Sequence, residues 1–401
     1  LLVIIGMVIL WYGLVPMVGA LIKRYQWFKF RNRFNGFRLH PIMDSRVYWQ
    51  QGKGTGTGED DTRESPNGNA QIFRFIGEFE SITDRQVLWV RGENLLVPIS
   101  LKNAETYLLP IQNDENTSEI SEPGEGAPEK IRWDRISSLT EGTKVFVGGS
   151  LTCQDGRWSF VSTKETPLMV IFYDGPDHSL ATKTTWAGRH RGEYFNSITP
   201  YSLITGAVCL LFIAALFLPR PAFLLTVIVA LVAVFIPLFP LMPPGLLFTV
   251  VYRRLAWRSR IFRTYSDLAK LPLGYFNGEN DNTPLRGKRT LPDGELYGFV
   301  YSAKLPSEVQ DGKIPLLIPE ITELKRDDNW YIFGAVRPSE LLPFRPKDPF
   351  ATFGVLPGNP KEFAHRCTVK AYVLETVAWI MLLAGIALNV FFLITVLLML
   401  I

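Results

Sequence analysis

Residues 201–245 read YSLITGAVCLLFIAALFLPRPAFLLTVIVALVAVFIPLFPLMPPG, with Arg220 as the only charged side chain. A helix crosses a bilayer with about 20 mainly apolar residues, so this stretch is long enough for two passes. The first is expected at 201–218. The second is expected at 222–244, with its apolar core at about 222–239, broken by Pro237, Pro240, Pro243 and Pro244 and followed by a kinked re-entry into a second helix. Pro219-Arg220-Pro221 leaves room only for a tight hairpin. The polar regions on either side, about 23–200 and 253–370, must then lie on one face of the membrane.

Working outward, two further uncharged runs qualify as spans, 1–22 and 376–401. A cleaved leader is the rival reading of 1–22. The length of the run, its internal Trp11-Tyr12 pair and the lack of a small-residue cleavage site favour a span. Lys and Arg collect on the cytoplasmic side of membrane proteins. Residues 23–46 carry Lys23, Arg24, Lys29, Arg31, Arg33, Arg38 and Arg46 against Asp44 alone. Residues 253–263 carry Arg253, Arg254, Arg258, Arg260 and Arg263 and no acid. Both large domains are therefore expected in the cytoplasm and both termini on the opposite side, in an arrangement that suits a bacterial inner membrane.

The chain has 401 residues, 47% of them hydrophobic, and a net charge of +4. That charge is too small for a general polyanion binder, and no nucleic-acid partner is expected. Cys153, Cys209 and Cys367 show no CxxC spacing, which argues against a zinc site or a disulfide framework.

The two basic stretches also carry aromatic residues at helical spacing. In 23–46, Trp27, Phe30, Phe34 and Phe37 share one face, and Arg24, Arg31 and Arg38 another. In 245–270, Trp257, Ile261, Tyr265 and Leu268 lie on one side, near Arg254 and Arg258. Arginine with aromatic residues on an amphipathic helix beside a span fits the headgroup layer of anionic lipids. Packing of the same aromatic face on an adjacent β domain is the alternative.

Sliding the chain by 227 places Tyr25 on Tyr252 and Phe30–Phe34 on Trp257–Ile261, and the order of features then repeats. Each half has a β-rich stretch, a Pro-started apolar run (Pro167–Phe172 and Pro349–Phe353), a Gly/Pro turn (Asp174–Asp177 and Leu356–Asn359), and a polar helix entering a span. The reading is a tandem duplication. Juxtamembrane helices are expected at 176–200 and 357–375.

The first β domain, 70–175, contains short alternating runs: Ile72–Phe79, Gln86–Val90, Leu95–Ser100, Lys144–Thr152, Trp158–Val161 and Leu168–Tyr173. These fit a small closed barrel of OB type. The second, 290–356, offers Glu295–Ala303, Ile314–Ile318, Trp330–Val336 and Pro349–Phe353 for a second barrel. Polar loops are expected at 51–69, 112–130 and 278–292. The fold class is thus an α+β membrane protein with four transmembrane helices and two small cytoplasmic OB-like β-barrels.

The run Glu141–Leu151, followed by Asp155-Gly156-Arg157-Trp158-Ser159-Phe160 and then by a polar helix and a span, resembles two groups. One is the NfeD-type membrane proteins. The other is the beside-a-membrane (GIDE-like) domain of membrane-anchored mitochondrial ubiquitin ligases. The resemblance covers about a third of the chain. It implies an OB barrel and, from the NfeD side, an adaptor role beside ring-forming stomatin-like partners. A RING domain needs Cys and His ligands that this chain lacks, so ligase activity does not carry over.

Signals for chemistry are few. His40, His178, His190 and His365 form no metal-binding spacing. Gly54-Thr55-Gly56-Thr57-Gly58 lacks the Lys-Ser/Thr ending of a phosphate loop, and Gly149-Ser150-Leu151 is not a nucleophile elbow. A polar pocket of His178, Asp174 and Arg189 would be the most plausible enzymatic site. The spans carry no ionisable residue, which disfavours a self-contained pump or channel. Gly206, Gly385 and Asn389 are candidates for close helix packing. These features point to a non-enzymatic membrane adaptor or accessory subunit that organises a partner complex, with no cofactor. A subunit of a multi-chain transport or secretion machine, or an enzyme acting on a lipid or membrane-bound substrate, are the alternatives.

Overall fold

The computed structural model describes residues 2–48, 71–83, 86–109, 129–154, 157–189, 193–276, 289–304, 307–310, 313–318, 329–337 and 341–400. The loop 51–69 lies outside them, as do most of 112–130 and of 278–292. In chain order the elements are α1 (Leu2–Phe37), β1 (Ile72–Thr83), β2 (Val87–Arg91), β3 (Leu96–Ser100), β4 (Glu105–Leu108), β5 (Glu129–Lys130) and α2 (Trp133–Ile136). Then come β6 (Lys144–Gln154), β7 (Arg157–Val161), β8 (Met169–Tyr173), α3 (Leu180–Trp186), α4 (Thr199–Phe217), α5 (Leu224–Val234) and α6 (Gly245–Lys270). The last are β9 (Arg289–Thr290), β10 (Leu296–Ser302), α7 (Ser307–Gln310), β11 (Trp330–Ala335), β12 (Gly354–Pro357) and α8 (Pro360–Leu400). The chain divides into two units: one of Leu1–Lys29, Gly188–Ser266 and Ala364–Ile401, the other of Phe30–Ala187 and Asp267–Phe363.

The first unit is helical. Among the described residues, three helices are long and apolar enough to cross a membrane: Leu2–Phe37, Thr199–Phe217 and Pro360–Thr395. They suggest membrane anchoring. The fourth expected span, 222–244, is not one helix. α5 has 11 residues, about 17 Å at 1.5 Å per residue, against a hydrocarbon core of about 30 Å. It is followed by a 3-10 turn over Ile236–Leu241, and α6 starts only at Gly245. The cause is proline. Pro237, Pro240, Pro243 and Pro244 bring no N–H and their rings obstruct the preceding turn, although the composition of the stretch is as apolar as that of a span.

Each interruption in these helices is met by side-chain donors. A π-helical turn occupies Ile9–Leu14 of α1, and Pro16 brings no N–H for the carbonyl of Tyr12 four residues earlier. The hydroxyl of Tyr194 donates to Tyr12 O, Ser202 donates to Trp11 O, and Asn196 Nδ2 donates to Pro16 O at 3.0 Å. At the α5–α6 break, Asn389 Nδ2 of α8 donates to Phe239 O at 2.6 Å and to Met242 O at 3.2 Å. Backbone freed inside a membrane persists only where such partners exist.

The second unit holds the β structure. β1 is long and serves two neighbours. Ile72–Glu78 pairs antiparallel with β6, and Glu78–Thr83 pairs antiparallel with β2. β2 pairs with β3, β3 runs parallel to β7 at Ile99 and Phe160, and β7 returns to β6. This closes a five-stranded mixed barrel in the order β1-β2-β3-β7-β6. Beyond β6 the sheet continues through β8, β4 and β5. Phe73, Phe75, Val145, Val147, Leu88 and Val90 point into the barrel core. The alternate residues of β1 and β6, Arg74 and Phe146, lie on the other face yet are fully buried. β8 is buried at all five positions, because both of its faces are covered.

The second β domain is not a barrel. Among the described residues it is a four-stranded antiparallel sheet, β12-β11-β10-β9. The run 314–318 contributes a single bridge, Leu316 to Val355, and the expected strand at Pro349–Phe353 gives way to one at Gly354–Pro357. With β9 only two residues long, there is too little strand to close a ring. The juxtamembrane helix expected at 176–200 also breaks, since α3 ends at Trp186 and α4 begins at Thr199. Its counterpart 357–375 is the start of the uninterrupted 41-residue α8.

Candidate functional site

The most developed polar centre lies inside the second unit, on the outer face of β1 and β6. It starts from the aromatic stripe at the end of α1. Phe30, Phe34 and Phe37 are buried in protein. The Phe30 ring sits 4.6 Å from that of Tyr107. Phe34 packs on Phe146 at 5.2 Å and on Phe350 at 6.0 Å. Phe37 lies so close to Gly148 that a Cβ there would come within 2.5 Å of its ring, so a larger residue at 148 would displace it.

Two arginines follow from this packing, Arg38 at the end of the stripe and Arg74 on β1. Both are buried, as is Asp348. Arg74 makes an ion pair with Asp348 and donates from Nε to His40 O at 2.7 Å. Its guanidinium lies 5.3 Å from the Phe350 ring centre. Arg38 donates to Thr352 Oγ1 at 2.9 Å and to the carbonyl of Leu271, and stacks 4.9 Å over Tyr275. Asp348 Oδ1 also accepts the Phe350 amide at 3.0 Å. Arg38 Nε and Arg74 Nη1 are buried with no acceptor among the described residues. The centre thus holds two guanidinium groups against one carboxylate. Burial, and then the nearby Arg74 charge, push the His40 imidazole below its ordinary pKa.

Two concavities adjoin this centre. A cleft of about 210 Å³ is lined by Asp348, Phe350 and Thr352 together with His178, Arg345 and Leu271. It is smaller than the usual range of about 300–1,000 Å³ for a small-molecule site. An open groove of about 660 Å³ is lined by Asp44, Glu78, Arg91, Glu93, Lys144 and Lys347, among others. The three residues considered for an enzymatic pocket are placed as follows. His178 lines the cleft, the Asp174 carboxylate accepts the Gly175 amide at 2.8 Å, and Arg189 belongs to the other unit. Among the described residues no group of three or more His, Cys, Asp or Glu could hold a metal ion.

The remaining residues singled out in the sequence are placed as follows. In the second unit, Arg31 is buried and donates to Ala187 O at 2.8 Å. In the helical unit, Trp27 is buried against Gly188, whose φ is +69°. Arg24 pairs with Glu375 at 3.3 Å, and Arg263 pairs with the same carboxylate. Arg260 pairs with Glu193 at 3.3 Å. Burial raises the Glu193 carboxyl above its usual pKa, in spite of the opposing charges of Arg260, Arg263 and Arg253. Arg254, Trp257 and Arg258 are exposed, whereas Ile261 and Tyr265 are half-buried. Gly206 lies against Trp11 and Tyr12, and Gly385 against Phe248.

The sequence pointed to Arg38 only as a headgroup contact. It did not point to Arg74 or Asp348 at all, because one reads as the polar member of an alternating strand and the other sits in a charged loop. The Phe-Arg-Phe run on β1, with both of its faces covered, was the signal available. No protein-family model, curated protein or solved structure matches the chain.

Proposed function

We propose that the chain is a membrane-anchored, non-enzymatic adaptor whose two β domains act as one rigid platform for a partner protein. The observation that carries the reading is the Arg74–Asp348 ion pair, with Arg38 beside it. It ties the barrel strand β1 to the segment 348–352 of the second β domain inside one compact unit. A platform of this kind presents a fixed surface and does not behave as a hinge. The open groove draws its lining from both β domains and mixes acids with bases, which suits a polar protein segment better than a lipid or a polyanion.

Two finer readings belong with this proposal. The barrel order β1-β2-β3-β7-β6, with its one parallel pairing between β3 and β7, supports an OB-like barrel and with it the NfeD-type resemblance. Tandem duplication is supported by the matching antiparallel triplets β1-β6-β8 and β10-β11-β12. Each triplet is followed by a glycine at positive φ, Gly175 at +89° and Gly358 at +80°, and then by a helix. Both β domains are placed in the cytoplasm by the charge rule alone. One observation favours the second reading, a subunit of a transport assembly: the broken α5–α6 segment resembles the discontinuous helices that such machines use.

The test is purification from the native membrane in mild detergent, comparing the wild-type chain with Glu78→Lys and Lys347→Glu. The adaptor reading expects a stoichiometric partner that is lost in the charge reversals while the melting temperature holds. A protein that purifies alone and monodisperse refutes it.

A further inference from the structure

We infer that the exposed face of α6 binds the headgroup of an anionic phospholipid, with the phosphate held by Arg254 and Arg258 and the acyl chain lying along Leu247, Val250 and Val251. This inference rests on membrane anchoring and is independent of the adaptor reading. It follows from the two faces of α6. Gly245, Thr249, Tyr252, Ser259, Phe262 and Ser266 are buried, and all but Thr249 meet residues of α8. A Cβ at Gly245 would reach Asn389, Tyr252 packs with Ala378 and Leu382, and Ser259 donates to Ala371 O at 2.9 Å. The opposite face is one continuous exposed stripe, Leu247–Val250–Val251–Arg254–Trp257–Arg258.

The pairing with α8 sets the depth of that stripe. The two helices run antiparallel, so Glu375 falls level with the turn between Tyr252 and Ser259. From Thr376 onward α8 is uncharged. The N-terminal part of the stripe therefore lies beside hydrocarbon, and Arg254, Trp257 and Arg258 lie where charge resumes. α1 marks the same level independently, because its uncharged run ends at Ile22 and Arg24 pairs with Glu375.

The charges on α6 are also partitioned. Arg260 and Arg263 turn to Glu193 and Glu375, whereas Arg254 meets no carboxylate among the described residues. An apolar track, then an arginine, a tryptophan and a second arginine match in order the acyl chain, glycerol level and phosphate of a lipid. Guanidinium groups bind phosphate oxygens in a fork geometry, and tryptophan favours the boundary layer. A net negative headgroup complements the positive charge that Arg254 and Arg258 bring to this face. A zwitterionic headgroup sets its own ammonium against them.

The test uses the full chain, delipidated in detergent, with phosphatidylglycerol or phosphatidylcholine added at equal mole fraction and lipid retention read by native mass spectrometry. Phosphatidylglycerol should be retained selectively. Arg254→Gln with Arg258→Gln should weaken its retention about thirtyfold, at roughly 1 kcal/mol for each cation near the surface. Arg132→Gln with Arg135→Gln, exposed arginines of the other unit, should leave it unchanged. Equal retention of the two lipids would mean a non-selective lipid annulus, and it overturns the proposal, as does undiminished retention by the glutamine variant. If that variant does not fold, the single changes Arg254→Gln and Arg258→Gln are read in the same way. Quenching of Trp257 by brominated phosphatidylglycerol, scored against Trp257→Phe, supplies a second readout, and its absence also overturns the assignment.

Discussion

Replacing Asp348 by alanine removes the only carboxylate, among the described residues, from a centre that holds two buried guanidinium groups. Arg74 would keep its bond to His40 O, and Arg38 its bonds to Thr352 and Leu271, but neither charge would have a counter-ion among the described residues. Breaking a buried pair in this way costs about 3–5 kcal/mol. In a body of this size each kcal/mol lowers the melting temperature by about 2–4 °C, so the expected drop is about 6–20 °C. The double change Arg74→Met with Asp348→Leu removes both charges and refills the volume. It should be less damaging than Asp348→Ala, because replacing a whole buried pair with apolar groups is often neutral or stabilising. The assay is thermal unfolding in detergent followed by tryptophan fluorescence, completed as a double-mutant cycle with Arg74→Met alone. A drop below about 2 °C for Asp348→Ala, or a double variant worse than the single, refutes the view that this pair is what ties the two β domains together.

Three further outcomes are expected. His40 is held below its ordinary pKa by burial and by Arg74, so its contribution to stability is full above about pH 6.5 and is lost as pH falls below that value. Melting temperatures at pH 7.5 and 5.5 should therefore differ more for the wild type than for His40→Gln, and equal differences would remove His40 as the cause. Phe34→Ala should cost about 3–5 kcal/mol in the same unfolding assay, because the ring is fully enclosed by Phe146 and Phe350; a near-neutral result would mean that it faces lipid. Asn389→Leu removes the side-chain donor to the carbonyls of Phe239 and Met242, which keep the Met242 and Leu246 amides, and should cost about 1–2 kcal/mol, while Gly245→Val, whose Cβ would stand 2.2 Å from Asn389 Nδ2, should disrupt the same junction. Wild-type melting in both variants would dissociate the break from Asn389.

The parts of the fold legible in the sequence are those that depend on local pattern. β1, β2, β3, β6, β7 and β8 announce themselves by alternation or by short apolar runs between turns. β4 and β5 do not, because Glu105–Leu108 gains its strand character from lying parallel to β8, a pairing across many intervening residues. The stripe Phe30, Phe34, Phe37 was legible as one face of a helix, but spacing cannot say whether lipid or protein covers it, and here protein does. Closure of the second barrel was inferred from a repeated order of features. Among the described residues the second β domain has the four strands β9, β10, β11 and β12 in an open antiparallel sheet and lacks the additional strands that a ring requires. Arg74 stayed hidden because alternation assigns a polar residue between two phenylalanines to solvent, whereas the segments carrying His40 and Asp348 both meet it.

The helix interruptions carry a related lesson about composition. Hydropathy counts Ile9–Leu14 and Ile236–Leu241 as ordinary span residues, since it weighs side chains and not backbone bonds. Both segments depart from regular α-helix, and in or beside both, carbonyls accept side-chain donors. The donors that meet them come from elsewhere in the chain: Tyr194, Asn196 and Ser202 at the first, and Asn389 at the second. Each of these polar residues would be costly among apolar helices if it had no acceptor. At the second break the Phe239 and Met242 carbonyls also accept the Met242 and Leu246 amides, so Asn389 adds to a backbone pairing that the 3-10 turn and α6 already make. The long apolar helices thus contain polar groups in specific pairs, and those pairs sit at the π-helical and 3-10 interruptions.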